Sequence, residues 1–442
     1  MVYEIVLGRE RKEQEKFGTN GSILLGRHYV KMGAVTTLSQ PVFLDINKAH
    51  VVFVCGKRGS GKSYCMGVIA EGISQLPDEQ KNNLSVVLLD TMGIYWTMKY
   101  PNNKDEMLLK EWGFEGKSID IKIYTPFGFF EKWKSDGIPT DVPFALNPSE
   151  LSPQDWMLTF ELESTDPISV FLERLILDLQ KNNESYDIDD IISAIEGDET
   201  EEVRVRQAAK NRFVSVKEWG LFSPDATPLK DLVKGGQITI LDLSAYAVMS
   251  NGWRIKHLVI GLVSMKLFTE RMKARKQEEF SAVRQATHYL LDDEGVKGER
   301  MPIVWLMIDE AHEFLPNQGK TASSDALITL LREGRQPGIA MVMATQQPGK
   351  IHTDAMTQSD IILAHRLTAK VDTDALAALL QSYLRTGLDK ELENLPRVPG
   401  ACIAVDDVNE RMYPMRIRPR FSWHGGGAPG LVQEKKEAFE FK

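Results

Sequence analysis

Short, mostly apolar runs alternate along this chain with longer segments of helical periodicity. Residues 51–55, 85–90, 119–124, 238–243, 302–308, 339–344 and 361–365 are each about strand length and rich in Val, Ile and Leu. Apart from 119–124, where Asp120 and Lys122 alternate with Ile, these runs lack a polar residue at every second position and fit strands buried on both faces. Between them lie stretches that can continue as helices, such as 64–75. Strand–helix–strand alternation predicts a parallel sheet with crossover helices, and therefore an α/β fold.

Other regions depart from this pattern. Residues 1–50 carry short apolar runs at 22–25, 29–31 and 41–46 separated by Gly, Asn and Ser, which predicts a small β-rich part. Residues 146–235 read as mostly helical. Ser152-Pro153-Gln154-Asp155 is a helix start, residues 168–179 carry apolar positions at helical spacing, and acidic 182–202 predicts a loop around a short helix at 188–195. Residues 257–268 predict a buried helix, too short to span a bilayer and interrupted by Lys266. The basic stretch 270–276 reads as a solvated helix face. The predicted organisation is a β-rich part (1–50), a core in two segments (51–145 and 236–420), a helical insertion (146–235), and a glycine linker with a charged tail (421–442).

Composition narrows the function classes. The 442 residues carry 53 Lys and Arg against 62 Asp and Glu, a net charge of −9. That balance argues against a basic protein that coats nucleic acid, while leaving room for cations lining one channel. The three cysteines, Cys55, Cys65 and Cys402, form no C-x-x-C pair, which predicts a reducing compartment and no disulfide framework. With no signal-peptide layout and no spanning segment, a soluble, cytoplasmic protein without membrane contact is expected.

The chemistry is concentrated at Gly56-Lys57-Arg58-Gly59-Ser60-Gly61-Lys62-Ser63, which matches G-x-x-x-x-G-K-[ST] directly between a predicted strand and a predicted helix. In that setting the loop through Tyr64 aims backbone N–H groups and a helix N-terminus at phosphate oxygens. Lys62 can reach the β- and γ-phosphates, and the Ser63 hydroxyl can ligate Mg²⁺. ATP and Mg²⁺ are the expected ligands. The run 304–308 then ends in Asp309 and Glu310. A carboxylate at a neighbouring strand end suits Asp309 as the Mg²⁺ partner, and Glu310 sits where a general base can polarise the attacking water. Gln346 ends the next strand, at the carboxyl edge where open α/β sheets bind ligands, and is a candidate sensor of the γ-phosphate. Asp309-Glu310-Ala311-His312 also occurs in helicases with two RecA-like domains. Too few residues follow Gln346 here for a second such domain, so one RecA-like core is expected.

Taken together, these motifs resemble the HerA family of the HerA–FtsK superfamily. The likeness runs from about residue 20 to 420. It includes the phosphate loop, Asp90-Thr91-Met92-Gly93-Ile94-Tyr95, Ile240-Leu241-Asp242-Leu243-Ser244, Ile308-Asp309-Glu310-Ala311-His312, Arg332-Glu333-Gly334-Arg335, Ala344-Thr345-Gln346-Gln347-Pro348 and His365-Arg366-Leu367. Met92 and Ile94 depart from the family's Asp-Pro-x-Gly-Glu-Tyr strand end, and the β-rich part is short for the family's barrel domain. The resemblance implies a homohexameric ATPase that translocates on double-stranded DNA and serves a NurA-type nuclease or another effector, in DNA end processing or defence. It also implies that Arg366 or Arg335 completes a neighbouring subunit's site as a cation on the transferring phosphoryl group.

For DNA contact the sequence offers two loops, 95–100 with Lys99 and 347–352 with Lys350 and His352. Two other readings share the core. One is a VirB4-type secretion or conjugation motor; the other is a nucleotide-gated scaffold that barely hydrolyses ATP. Stimulation of hydrolysis by linear duplex DNA separates the translocase from the motor, and measured turnover separates it from the scaffold.

Overall fold

The apolar runs become neighbouring strands of a single sheet. The computed structural model describes residues 4–32, 35–183, 185–287, 300–367, 369–378, 388 and 391–427. Within them the strands are β1 (Ile5–Leu7), β2 (Ser22–Met32), β3 (Val35–Asp45), β4 (Val51–Cys55), β5 (Leu84–Asp90), β6 (Lys122–Pro126) and β7 (Val142–Phe144). They continue as β8 (Ile238–Asp242), β9 (Ile303–Ile308), β10 (Ile339–Thr345), β11 (Ile361–His365), β12 (Ala401–Asp406) and β13 (Arg411–Ile417). Their order in the sheet is β1-β3-β2-β13-β12-β11-β4-β10-β9-β5-β8-β6-β7. From β11 to β7 every pairing is parallel. The fold is therefore α/β with a mainly parallel sheet.

Side-chain alternation explains why these strands are apolar throughout. Val51, Phe53 and Cys55 of β4 join one core, with Val304, Leu306 and Ile308 of β9. Val52 and Val54 join a second core on the other face, with Trp305 and Met307. Helix Lys62–Ser74 covers the second face through Cys65, Met66 and Ile69, while helices Gly252–Thr287 and Ser324–Glu333 cover the first through Val259, Val263, Leu327 and Leu330. Both faces are buried, so neither needs polar positions. Residues 153–217 form four helices around their own core of Trp156, Phe171, Leu172, Ile191 and Phe213. Ser152 caps the first of these helices in a reciprocal box with Asp155.

The structure adds to the sequence reading in three places. The last strand read from the sequence ends at residue 365, whereas β12 and β13 carry the sheet on to the N-terminal strands, with β13 antiparallel to both β12 and β2. In β13, Arg411 and Arg416 flank the apolar positions and Pro414 interrupts them, so the strand reads weakly in the sequence. Second, the expected helix 257–268 is the first part of a 36-residue helix, Gly252–Thr287. Within it Arg271 is not solvated: it is 2% exposed and donates to the carbonyls of Pro337 and Met301. Third, the strand expected at 119–124 lies later, at Lys122–Pro126. The expected charged tail at 434–442 lies outside the described residues.

A charge chain holds the amino edge of the sheet together. Arg9 pairs with Asp45, and His50 bridges Asp45 at 3.0 Å and Asp360 at 2.6 Å. Burial would push the His50 imidazole down, but the two carboxylates outweigh it and raise His50 to about 9. The folded state therefore holds this proton more tightly than the unfolded chain. The resulting stability is fully present below the unfolded value of 6.5 and is lost as pH rises through about 9. Its size is on the order of 3 kcal/mol. Urea midpoints across that window should fall for the wild type, and His50→Gln should lack this component of the slope. Parallel pH profiles for the two proteins would refute the charged bridge.

Candidate nucleotide-binding site

The phosphate loop sits at the carboxyl edge, between the end of β4 and helix Lys62–Ser74. Gly61 caps that helix with φ of 107°, a conformation that strains any L side chain. Gly56 is required for another reason: a Cβ there would lie 2.5 Å from Ser60 Oγ and 2.6 Å from the Cβ of His365. The loop is tied down from both flanking strands. Gly56 N donates to Thr345 O at 3.3 Å, and Lys57 N donates to Arg366 O at 3.0 Å. Lys62 is 6% exposed, and its amine turns back to the carbonyl of Lys57 at 3.4 Å. Ser60 Oγ is buried without a partner among the described residues. Lys57, Arg58 and Gly59 form the exposed outer wall of the loop. The Tyr64 hydroxyl accepts the backbone N–H of Arg420 at 2.6 Å, so its side chain is committed to the C-terminal segment. What Tyr64 can offer a phosphate is its backbone N–H in the first helical turn.

Strand order brings the second half of the site to the first. Only β10 separates β4 from β9, so the end of β9 lies beside the loop. Ser63 Oγ donates to Asp309 Oδ2 at 2.5 Å, although 246 residues separate them. Asp309 is buried, and its other oxygen accepts the Glu310 N–H at 2.9 Å. A hydroxyl and a carboxylate meeting next to a phosphate loop form a hard oxygen donor set, and this fits Mg²⁺ shared with substrate phosphates.

Glu310 holds a strained backbone, with φ of 49° in the left-handed region. Its Oε2 is buried and has no hydrogen-bond partner among the described residues; the nearest basic atom, His312 Nδ1, is 3.6 Å away. Burial first, and then the charge of Asp309, push this carboxyl up to about 7, against the pull of Lys62. Such a carboxylate is free to take a water. Gln346 directly follows β10, is partly buried, and its backbone faces the Glu310 carboxylate. Thr345 Oγ1 and His312 Nδ1 lie 3.1 Å apart beside it.

The remaining candidates divide between this edge and the opposite one. Arg366 follows β11 at the loop, partly exposed, and its side chain makes no ion pair or hydrogen bond among the described residues. Arg335 precedes β10, at the amino edge, and binds Asp360 Oδ1 and the carbonyl of Gln358, both at 3.1 Å. It does not join its own chain's nucleotide site. Lys99 binds both oxygens of Asp141, at 2.6 and 2.8 Å, and Tyr95, Thr97 and Met98 are buried, so loop 95–100 is a packed element rather than a free basic loop. His352 caps Asp354 N at 3.2 Å, while Lys350 remains exposed. In the sequence Tyr95 ends the Asp90–Tyr95 string and opens a candidate DNA loop, with no role at the nucleotide site. Its hydroxyl instead donates to Asp309 Oδ2 at 3.1 Å. The signal was the string Asp90 to Tyr95 itself, whose last residue turns inward.

Comparison with known proteins identifies the family. The family described as "Helicase HerA, central domain" matches residues 30–253, just over half of the chain. A probable DNA double-strand break repair helicase HerA of Methanocaldococcus jannaschii is 27% identical over 135 residues, which cover 28% of this chain and 25% of that protein. The matched segment thus spans about a quarter of that relative. Among solved structures, VirB4 of Thermoanaerobacter pseudethanolicus superposes with a TM-score of 0.52 at 13% identity, covering 90% of this chain and 96% of that one. At that identity the likeness is one of fold. The bacterial conjugative coupling protein TrwB has a TM-score of 0.45 at 12% identity, with 93% and 98% covered.

Proposed function

This chain belongs to the HerA central-domain family, and on that premise we propose that it is a Mg²⁺-dependent ATPase that moves double-stranded DNA as a homohexameric ring, serving a nuclease or other effector. The observation that carries the nucleotide chemistry is the meeting of Ser63 and Asp309 beside Lys62. In this reading the loop amides of residues 56–64 and the Lys62 amine hold the β- and γ-phosphates. Ser63 and Asp309 hold Mg²⁺, which when bound neutralises phosphate charge. Glu310 Oε2 orients a water and takes its proton as the water oxygen bonds to the γ-phosphorus; the bond from γ-phosphorus to the bridging oxygen breaks, and ADP leaves with phosphate. Gln346 stands at the γ-phosphate end of the cradle as its sensor. Arg366, partly exposed at the rim and without an ion pair among the described residues, is the cation best suited to reach a neighbouring subunit's nucleotide. Arg335, engaged by Asp360, is the weaker candidate.

The test is ATP turnover with and without linear duplex DNA, together with the mass of the particle in the presence of nucleotide. A DNA-stimulated rate in a six-subunit particle is expected. A rate indifferent to DNA would remove the translocase reading in favour of a motor for another cargo. A monomer with ATP and DNA present would remove the ring.

A further inference from the structure

Among the described residues the Asp309 carboxylate receives three donors, and they differ in what anchors them. Ser63 Oγ belongs to the phosphate-loop helix and is the hydroxyl that bound Mg²⁺ would claim. The Glu310 N–H follows the backbone of Asp309 itself. Tyr95 Oη, 3.1 Å from Asp309 Oδ2, is fixed from elsewhere. Its ring is 1% exposed, and its hydroxyl also touches Met66 Sδ at 3.6 Å. Its backbone N–H donates to Asp90 Oδ2 at 2.8 Å, while Asp90 Oδ1 accepts the Gly93 N–H at 2.7 Å, so the end of β5 clamps the turn.

A strap near the end of the described chain holds the same turn from outside. Thr97 Oγ1 donates to Trp423 O at 3.0 Å, Trp423 N to Tyr100 O at 2.8 Å, and Asn102 Nδ2 to Arg420 O at 3.0 Å. The strap also grips the phosphate-loop helix. Glu71, fully buried on that helix, accepts from Arg418 at 3.0 Å, Arg420 at 3.2 Å and Ser422 Oγ at 2.5 Å. One strap therefore fixes both the helix that carries Ser63 and the turn that carries Tyr95.

We propose that Tyr95 is a positioning residue for the metal site, its hydroxyl holding Asp309 in the orientation that meets Mg²⁺. The inference rests on the nucleotide-site reading above. When Ser63 turns to the metal, Tyr95 is the side-chain donor that stays on Asp309 Oδ2. Groups that orient a ligand in this way set metal affinity without touching the metal.

Tyr95→Phe removes one hydroxyl and keeps the buried ring. Binding of a fluorescent ATP analogue is measured during MgCl₂ titration and again in EDTA, for wild type, Tyr95→Phe and Asp309→Asn, with thermal melts as the folding control. For Tyr95→Phe the half-saturating Mg²⁺ concentration should rise by about 10-fold to 100-fold, in the same direction as Asp309→Asn. Its binding in EDTA and its melting midpoint should match the wild type. A wild-type Mg²⁺ dependence in Tyr95→Phe, with Asp309→Asn shifted, overturns the role of Tyr95 and leaves the nucleotide site standing. A wild-type dependence in both variants removes Asp309 from the metal site, and the inference falls with that reading. Equal loss of binding with and without Mg²⁺ makes Tyr95 a packing residue and overturns the inference as well.

Discussion

Glu310→Gln is expected to leave ATP bound and to slow hydrolysis by about 10² or more, the usual contribution of a positioned general base. The amide nearly matches the carboxylate in shape, so the left-handed backbone at φ of 49° and the packing beside His312 are retained. What is lost is the ability to accept a proton from the attacking water. Oε2 suits that task because it is buried with no hydrogen-bond partner among the described residues, which leaves it open to a water. Its neighbour Asp309 cannot substitute, since both of its oxygens are engaged by Ser63, Tyr95 and the Glu310 N–H. Single-turnover phosphate release and equilibrium nucleotide binding, measured on the same preparation, separate the two effects. If binding falls along with turnover, Glu310 supports the site structurally, and the base lies elsewhere.

Lys62→Ala acts one step earlier, on binding itself. Lys62 is 6% exposed, and the one partner of its amine among the described residues is the Lys57 carbonyl at 3.4 Å, the long limit of a hydrogen bond. A cation held so loosely contributes little to the fold, so the variant should melt close to the wild type. Charge-assisted bonds to phosphate are worth about 1.5–3 kcal/mol, so ATP affinity should fall by roughly 10-fold to 100-fold. Phosphate release should fall further, because the same amine faces charge that grows in the transition state. Fluorescent-nucleotide titration and a phosphate-release assay check both. A folded Lys62→Ala protein with near-normal turnover would refute the phosphate-loop assignment.

The sequence by itself determined the parts of this protein whose signal is contiguous. The apolar runs of β4, β5, β8, β9, β10 and β11 are legible because strands buried on both faces have no polar positions, whatever lies next to them. The phosphate loop and the Asp309-Glu310 pair are legible because a strand end, a glycine turn and a helix start must follow one another in the chain. Only the tertiary structure decided the rest, since strand order departs from chain order: β4, β10, β9 and β5 stand side by side. That order brings Tyr95 to Asp309 across 214 residues. Lys99, which looked free for phosphates, meets Asp141 across 42 residues. Arg335 and Arg366 look alike in the sequence, each next to a strand. One precedes β10 and the other follows β11, so in parallel strands they emerge at opposite edges, and only Arg366 shares an edge with the nucleotide site. The strap from Arg418 to Trp423 carries no periodicity because it is not a regular element. Its side chains are set by Glu71, a buried carboxylate some 350 residues earlier, whose charge must be matched where it lies.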